Sequence, residues 1–354
     1  MHWIVLSPFH ENATPPSQLG AGDGWILEHI SPDTHTFTIV PAPYVHDRSR
    51  SHTSARQWLD YARHAWAGWR AARAIKEKPI GFITLFPQLA LMVGLIKRLS
   101  LARFPVLAWC FNLGRTYAGA KGVLARFALR SVNLFIVVSR RERDTYARWL
   151  GLPTSRFVFV PLSVAAATPT SREEPDAPFV LAMGTANRDY RLLFAAMAPS
   201  RHRLIVVSGA HALSGLEVPD FVDVRAGLTS RECQDLSERA RLNVVPLRDA
   251  ATAAGVVSLL EAMILGKAVI ATRTTGTLDY IEDGRTGIMT PPDDEVALRA
   301  AIERVWSDSA LRESLGQSAR SRAVSDFTFA AAARRMRTLL DGLESGARSG
   351  LSLS

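Results

Sequence analysis

The sequence predicts an α/β protein of two doubly wound, Rossmann-like domains that face each other across a cleft. Its 354 residues are 47% hydrophobic, which is enough for two cores when one domain takes roughly 100–200 residues. Strand-like apolar runs alternate with helical patterns in both halves, as is typical of parallel βαβ units. Ligands of such sheets bind beyond the carboxyl ends of the strands, so the cleft is the expected binding place.

A stretch of small, polar and proline residues at 166–178 predicts a linker. The N-terminal domain is expected at 1–165 and the C-terminal domain at 179–326. A helix at 327–345 is expected to pack back toward the N-terminal domain, and 346–354 to form a flexible tail.

Six strands are predicted in the first half, near residues 3–7, 36–40, 80–86, 105–111, 133–138 and 157–160, with helices at 54–77 and 120–130. Residues 79–96 carry no charge and have the length of a membrane span. Pro87 within this run, and the β-rich segment before it, favour a strand followed by a helix from Gln88 to Leu99.

The second half repeats the alternation. Strands are predicted at 179–184, 204–209, 222–224, 242–247 and 268–272, and helices around 188–198, 230–240, 256–266, 294–307, 309–322 and 327–345.

Positive charge is concentrated in the first half. Residues 1–165 hold 20 Lys/Arg and 9 Asp/Glu, a net charge of +11, whereas residues 166–354 hold 22 and 24, a net charge of −2. Seven basic and no acidic residues lie between Lys97 and Arg130. Such a field favours an anionic partner, although a solvated face explains any single charge equally well.

Two cysteines, Cys110 and Cys233, exclude a CxxC redox motif, a four-thiolate zinc site and a disulfide framework, which indicates a reducing, cytosolic compartment. The first eight residues have no basic leader and are interpreted as a buried strand. Nucleic-acid binding is disfavoured because the sequence has no helix-turn-helix, RNP-like or zinc signature.

The segment most indicative of function is a loop of small residues at 248–255 followed by the helix at 256–266. A helix start offers free N–H groups and a positive dipole end, so an anion is favoured there, although Gly255 could be a simple turn glycine. Glu261 is embedded in the apolar part of this helix and needs a partner to offset desolvation. That partner is either the two hydroxyls of a ribose or an arginine elsewhere in the domain.

These residues carry a family resemblance. Residues 255–263, 266–272, 279–288 and 291–292 resemble the carboxyl-terminal signature of the family 4 retaining glycosyltransferases of GT-B fold, also called glycosyl transferases group 1. Residues 183–190 resemble the family's domain-opening glycine and basic loop. Residues 137–142 and 159–162 resemble the end of its amino-terminal domain.

The resemblance implies a nucleotide-sugar donor held by the second domain and an acceptor held by the first. It places Glu261 on the donor ribose and the backbone of Gly255, Val256 and Val257 on the diphosphate. Arg188 falls where the family has a diphosphate-binding cation, which would stabilise the leaving group as charge develops. The alternative is a surface arginine paired with Asp189. The whole predicted donor site is Gly184, Arg188, Thr252, Gly255, Val256, Val257, Ser258 and Glu261.

Three positions depart from the family pattern. Ala253 replaces a sugar-facing glutamate, and Asp189 replaces a lysine. A histidine of the family is missing, and Asn112 is the nearest candidate for its place. The predicted catalytic residues are therefore Asn112 and the diphosphate-binding Arg188. In the first domain Gly20, Gly22 and Gly24 resemble a loop that approaches phosphate or acceptor, although a flexible turn fits equally well.

The sequence thus predicts a retaining hexosyltransferase that uses no metal or other cofactor. Its expected acceptor is a lipid-linked saccharide or glycolipid in polysaccharide or glycan assembly. The basic first half predicts a cytoplasmic protein peripheral to the anionic inner face of the plasma membrane. A non-catalytic glycosyltransferase-like subunit and a sugar-nucleotide epimerase of the same fold are the alternatives.

Overall fold

The computed structural model describes residues 1–8, 26–30, 33–44, 53–76, 79–114, 116–248 and 253–348. The predicted loop of Gly20, Gly22 and Gly24 lies outside these residues, as do Arg115 and Thr252. The chain divides into two compact units. Unit 1 is Met1–Pro161 together with the chain from Phe329, and unit 2 is Leu162–Thr328.

Unit 1 is built on a sheet of six parallel strands in the order β2-β1-β3-β4-β5-β6. The strands are β1 (His2–Leu6), β2 (Thr36–Val40), β3 (Ile80–Leu85), β4 (Val106–Trp109), β5 (Leu134–Val137) and β6 (Phe157–Phe159). The helices are α1 (Ala55–Ala74), α2 (Pro87–Ser100), α3 (Gly119–Leu129), α4 (Arg140–Leu150) and, from the end of the chain, α10 (Phe329–Arg348).

Both faces of this sheet are buried, which is why its strands are almost continuously apolar. Ile4 and Phe82 face a core shared with α1 and α2, whereas Val5 and Ile83 face a second core. Helix α10 covers that second core with a row of buried apolar residues that includes Met336 and Leu340.

The uncharged run at 79–96 is confirmed as a strand followed by a helix. Strand β3 ends at Leu85, and α2 begins at Pro87, whose fixed φ suits the first helical position. In the described part of the chain, no helix has the length and apolarity that a bilayer span requires.

Unit 2 contains the second six-stranded parallel sheet, in the order β12-β11-β10-β7-β8-β9. The strands are β7 (Val180–Met183), β8 (Leu204–Val207), β9 (Val222–Arg225), β10 (Leu242–Val245), β11 (Val269–Thr272) and β12 (Ile288–Thr290). The helices are α5 (Tyr190–Met197), α6 (Ser230–Arg239), α7 (Val256–Ile264), α8 (Glu295–Ser307) and α9 (Ser309–Asp326). Two parallel α/β sheets confirm the predicted fold class.

Two features of unit 2 differ from the sequence prediction. The short strand β12 was not predicted, because only three residues pair with β11 and the surrounding sequence is rich in turn residues. The segment predicted as a linker lies on unit 2, where Thr170 and Ser171 donate backbone N–H bonds of 2.8 and 2.6 Å to the Glu238 carboxylate. Composition indicates a non-helical segment but does not reveal such anchoring.

Each sheet has a point where the strand order reverses, and ligands of open α/β sheets bind at such a point. In unit 1 the reversal lies between β1 and β3, and in unit 2 between β7 and β10. The loops that leave β7 and β10 are therefore the places to look for a site in unit 2.

Candidate functional site

The loop after β7 is fastened to the end of β10. The Asp189 N–H donates to the Pro246 carbonyl at 3.0 Å, and the Arg248 N–H donates to the Asn187 carbonyl at 3.2 Å. The Asn187 side chain returns a bond to the Arg248 carbonyl at 2.9 Å. The loop between Gly184 and Asp189 is thus hydrogen-bonded to the end of β10 at the switch point.

Arg188 lies in this loop with only 7% of its surface exposed. Its guanidinium donates to the Met183 carbonyl at 3.0 Å, the Ala186 carbonyl at 2.9 Å and the Ser258 hydroxyl at 2.7 Å. All three acceptors are neutral. Ser258 belongs to α7, so this hydrogen bond connects the loop after β7 to the helix after β10.

Among the residues that the structure describes, no carboxylate forms an ion pair with Arg188. The alternative of a pair with Asp189 does not occur, because the Asp189 carboxylate caps α5 and accepts the Leu192 N–H at 3.0 Å. Burial lowers the pKa of Arg188, but a guanidinium stays charged in proteins. A buried cation of this kind favours an anionic ligand, because the ligand supplies the missing counter-charge.

Two glycines make room for the guanidinium. Gly184 has φ +115°, and a Cβ there would lie 2.2 Å from Arg188 Nη2. Gly255 has φ +77°, and its Cβ would lie 3.2 Å from Arg188 Nη1 and 2.8 Å from Leu247 Cδ2. Both positions therefore require glycine for backbone conformation and for space.

Helix α7 begins beside this cation. Gly255 is its N-cap residue, Val256 is buried and Val257 is 49% exposed. The first N–H groups of a helix have no intrahelical acceptor and carry the positive end of the dipole. The Ser258 hydroxyl donates to the Gly255 carbonyl at 3.2 Å while accepting from Arg188. The helix start and the buried cation thus form one electropositive site.

Glu261 lies on the single accessible stripe of α7, next to Val257 and Ser258. The residues around it in the sequence are buried, as predicted, among them Leu259, Leu260 and Ala262. The Glu261 side chain itself lies on the exposed side of the helix. No residue of the described chain forms an ion pair with Glu261, so the alternative of an internal arginine partner does not occur there. Surrounding protein nevertheless desolvates the carboxyl group and raises its pKa. The carboxylate is exposed, one helical turn beyond the electropositive site.

A turn that sequence reasoning missed supports the α7 loop. A Cβ on Gly276 would lie 2.3 Å from the Ala254 carbonyl oxygen, so the two backbones touch. The Thr277 hydroxyl donates to the Thr272 carbonyl at 2.6 Å, and the Thr272 hydroxyl accepts the Leu247 N–H at 2.9 Å. The run of threonine and glycine at 274–277, after β11, was the sequence signal from which this turn could have been predicted.

Asn112 belongs to unit 1, in the loop that follows β4. Its Oδ1 accepts the Gly114 N–H at 2.9 Å, and the neighbouring Leu113 N–H donates to the Tyr146 hydroxyl at 3.1 Å. Cys110, at the start of the loop, has φ +52°. The structure therefore brings together Gly184, Arg188, Gly255, Val256, Val257, Ser258 and Glu261 within unit 2, and Asn112 is part of the other unit.

The sequence of unit 2 matches a known family. Residues 177–308 match the family described as "Glycosyl transferases group 1". The alpha-D-kanosaminyltransferase of Streptomyces kanamyceticus is 25% identical over 238 residues, which cover 58% of this chain and 60% of that protein. The capsular polysaccharide biosynthesis glycosyltransferase CapM of Staphylococcus aureus is 35% identical over 69 residues, 20% of this chain and 18% of CapM. The alignments thus span less than two thirds of either relative.

Solved structures resemble the whole chain. Sucrose-phosphate synthase from Thermosynechococcus elongatus has a TM-score of 0.72 at 18% identity and covers 98% of this chain and 99% of its own. Anabaena HepE in complex with UDP has a TM-score of 0.66 at 13% identity, and the match covers 97% of this chain and 100% of the HepE chain. The chain has the α/β two-domain GT-B fold, and the predicted resemblance to GT-B glycosyltransferases is confirmed.

Proposed function

We propose that this GT-B chain is a glycosyltransferase whose unit 2 binds a nucleoside-diphosphate sugar. One observation carries the proposal: the Arg188 cation, 7% exposed, is held at the start of α7 on neutral acceptors alone. A diphosphate would bring the counter-charge and accept the helix N–H groups.

Glu261 extends the fit from the diphosphate to the rest of the nucleotide. Its carboxylate is accessible on the same stripe of α7 as Ser258. A carboxylate accepts hydrogen bonds from two vicinal hydroxyls, so we assign it to the ribose. Support comes from the group 1 glycosyltransferase match over residues 177–308, which includes every described residue of this site, and from HepE, which was solved with UDP-glucose.

The proposed reaction is a transfer with retention of configuration. The bond between the anomeric carbon and the phosphate oxygen breaks, and the acceptor hydroxyl oxygen forms the new bond on the same face of the sugar. The departing phosphate oxygen takes the hydroxyl proton. Arg188 and the α7 dipole stabilise the charge that develops on this oxygen, so the chain's own groups supply the stabilisation that a metal ion gives in other enzymes.

The proposed acceptor is a lipid-linked saccharide or glycolipid at the inner face of the plasma membrane, in polysaccharide or glycan assembly. The +11 charge of residues 1–165 supports an anionic surface as partner of unit 1. CapM is named for capsular polysaccharide biosynthesis, which fits such an acceptor. Asn112 is proposed to serve the transfer from unit 1.

The test is thermal stabilisation by a panel of nucleoside-diphosphate sugars, measured on the wild type and on Glu261→Ala. We expect one nucleotide to raise the melting temperature of the wild type, and the variant to lose most of that shift. If no nucleotide stabilises the wild type, or if the shift survives in Glu261→Ala, the donor site is assigned wrongly.

Turnover separates an active enzyme from a non-catalytic subunit that only binds the donor. Transfer to a membrane lipid extract, with and without EDTA, tests the acceptor class and the proposed metal independence. The anomeric configuration of the product, read by NMR, tests retention. An inverted product would refute transfer on the same face of the sugar but not the donor site.

A further inference from the structure

Helix α3 exposes apolar side chains where a helix of a globular protein normally carries polar ones. Gly122, Ala125, Ala128 and Leu129 face inward. On the outer side Val123, Leu124 and Phe127 are 60, 52 and 45% exposed, and their spacing places them on one face. This apolar stripe needs an explanation other than the core.

The end of α2 extends the stripe. Leu99 and Leu101 are 73 and 86% exposed. Gly94 lets α2 approach α3 closely, since a Cβ there would lie 2.5 Å from the Ala128 carbonyl oxygen. The Arg98 guanidinium lies 5.1 Å from the centre of the Phe127 ring, which joins the two helices into one surface. We call this surface the α2–α3 face, defined by Arg98, Leu99, Leu101, Val123, Leu124 and Phe127.

The segment that contains α2 and α3 carries only positive charges. No Asp or Glu occurs between Glu77 and Glu142. Arg98, Arg103 and Lys121 are exposed.

One of the seven predicted basic residues, Lys97, does not present its charge to the outside. Lys97 turns inward, and its Nζ donates to the Ser131 carbonyl at 2.9 Å and to Asn133 Oδ1 at 2.8 Å. Arg130 donates to the Leu150 carbonyl at 2.7 Å but remains exposed, so it keeps its charge at the surface. The charge of the α2–α3 face therefore comes from Arg98 and its exposed neighbours.

We propose that the α2–α3 face docks on an anionic lipid bilayer, with Leu124 and Phe127 inserted at the acyl boundary and Arg98 and Lys121 on the headgroups. Exposed apolar residues can insert at the acyl boundary of such a bilayer, and the cations that flank them can bind its anionic headgroups. A second copy of the chain fits poorly, because self-association would bring these cations together without any acidic residue from this segment. The functional role of this docking rests on the proposed lipid-linked acceptor. Binding of the α2–α3 face to a bilayer can be tested without donor or acceptor.

The experiment is flotation of the full chain with vesicles of phosphatidylcholine alone and of equal parts phosphatidylcholine and phosphatidylglycerol. Two double variants are compared with the wild type, Leu124→Gln/Phe127→Gln and Arg98→Gln/Lys121→Gln. The matched control is Val296→Gln/Arg231→Gln, which changes exposed residues of unit 2.

We expect the wild type and the control to bind only the anionic vesicles, and to be released by high salt. Each cation near such a surface contributes about fivefold to partitioning, so the charge variant should bind about 25-fold more weakly. The apolar variant should lose at least as much, because its inserted side chains are gone.

Equal flotation with both vesicle types, or binding by either double variant at the wild-type level, would overturn the proposal. So would a concentration-dependent dimer, measured by light scattering without lipid, that Phe127→Gln abolishes. Nucleotide stabilisation measured in parallel keeps the two proposals distinct. If no nucleotide stabilises the wild type while vesicle binding still depends on the α2–α3 face, only the proposed function fails.

Discussion

Replacing Arg188 by methionine should separate folding from ligand binding. In the nucleotide-free protein the guanidinium makes three hydrogen bonds to neutral acceptors, each worth about 1.5–3 kcal/mol for a charged donor. Against these stands the cost of desolvating a buried cation, which is several kcal/mol. The two contributions oppose each other, and methionine leaves no buried charge behind, so we expect Arg188→Met to fold and to lower the free energy of unfolding by at most about 4 kcal/mol.

Nucleotide binding should respond much more strongly. Two charge-assisted bonds to phosphate, at about 1.5 kcal/mol or more each, correspond to at least about 100-fold in affinity. At a nucleotide concentration 100 times the wild-type dissociation constant, ligand stabilises the wild type by about 2.7 kcal/mol. In the variant the same concentration should give about 0.4 kcal/mol.

The assay is calorimetric unfolding of both proteins with and without the nucleotide that stabilises the wild type. Arg191→Met is the matched control, because Arg191 is exposed on α5 in the same segment. A large loss of stability in Arg188→Met with unchanged nucleotide affinity would refute the reasoning, and would identify Arg188 as a structural residue.

Three further predictions concern single residues. Gly184→Ala should weaken nucleotide binding at least tenfold by titration calorimetry, because its Cβ would lie 2.2 Å from Arg188 Nη2; Gly215→Ala, at an open turn, is the control. Burial raises the pKa of Glu261, and the ribose hydroxyls donate to its ionised carboxylate, so nucleotide affinity should rise as the pH passes through this pKa. A pH dependence that persists in Glu261→Gln would contradict this. Burial lowers the pKa of Lys97 to about 8 from 10.5, so the folded protein binds fewer protons than the unfolded chain between these values. Stability should therefore rise with pH there, by at most about 1.4 kcal/mol per unit, and Lys97→Met should remove this rise in denaturant titrations.

The alternation of apolar runs was sufficient for the fold class, because a parallel strand buried on both faces must be apolar throughout. The strand at 80–85 and the helix after Pro87 could be predicted for this reason. Strand β12 could not, since three residues carry too little periodicity. The anchoring of residues 166–178 on unit 2 depends on Glu238, which is remote in sequence.

The candidate site likewise has parts that the sequence could predict and parts that it could not. A small-residue loop before a helix is a local pattern, so Gly255, Val257 and Ser258 could be found by reading along the chain. The accessibility of Glu261 could not, because it depends on which side of α7 packs against the sheet. The inward turn of Lys97 likewise depends on Ser131 and Asn133, more than 30 residues away.

The sequence by itself determined the two α/β domains, the excess of positive charge in the first half and the small-residue loop that leads into α7, since periodicity, composition and helix starts are properties of contiguous chain. Only the tertiary structure decided that Arg188 reaches Ser258 across 70 residues, and that no described carboxylate neutralises it. It also decided that Val123, Leu124 and Phe127 face outward. Burial and charge pairing are set by which surfaces meet when the chain packs, and a linear pattern does not contain that information.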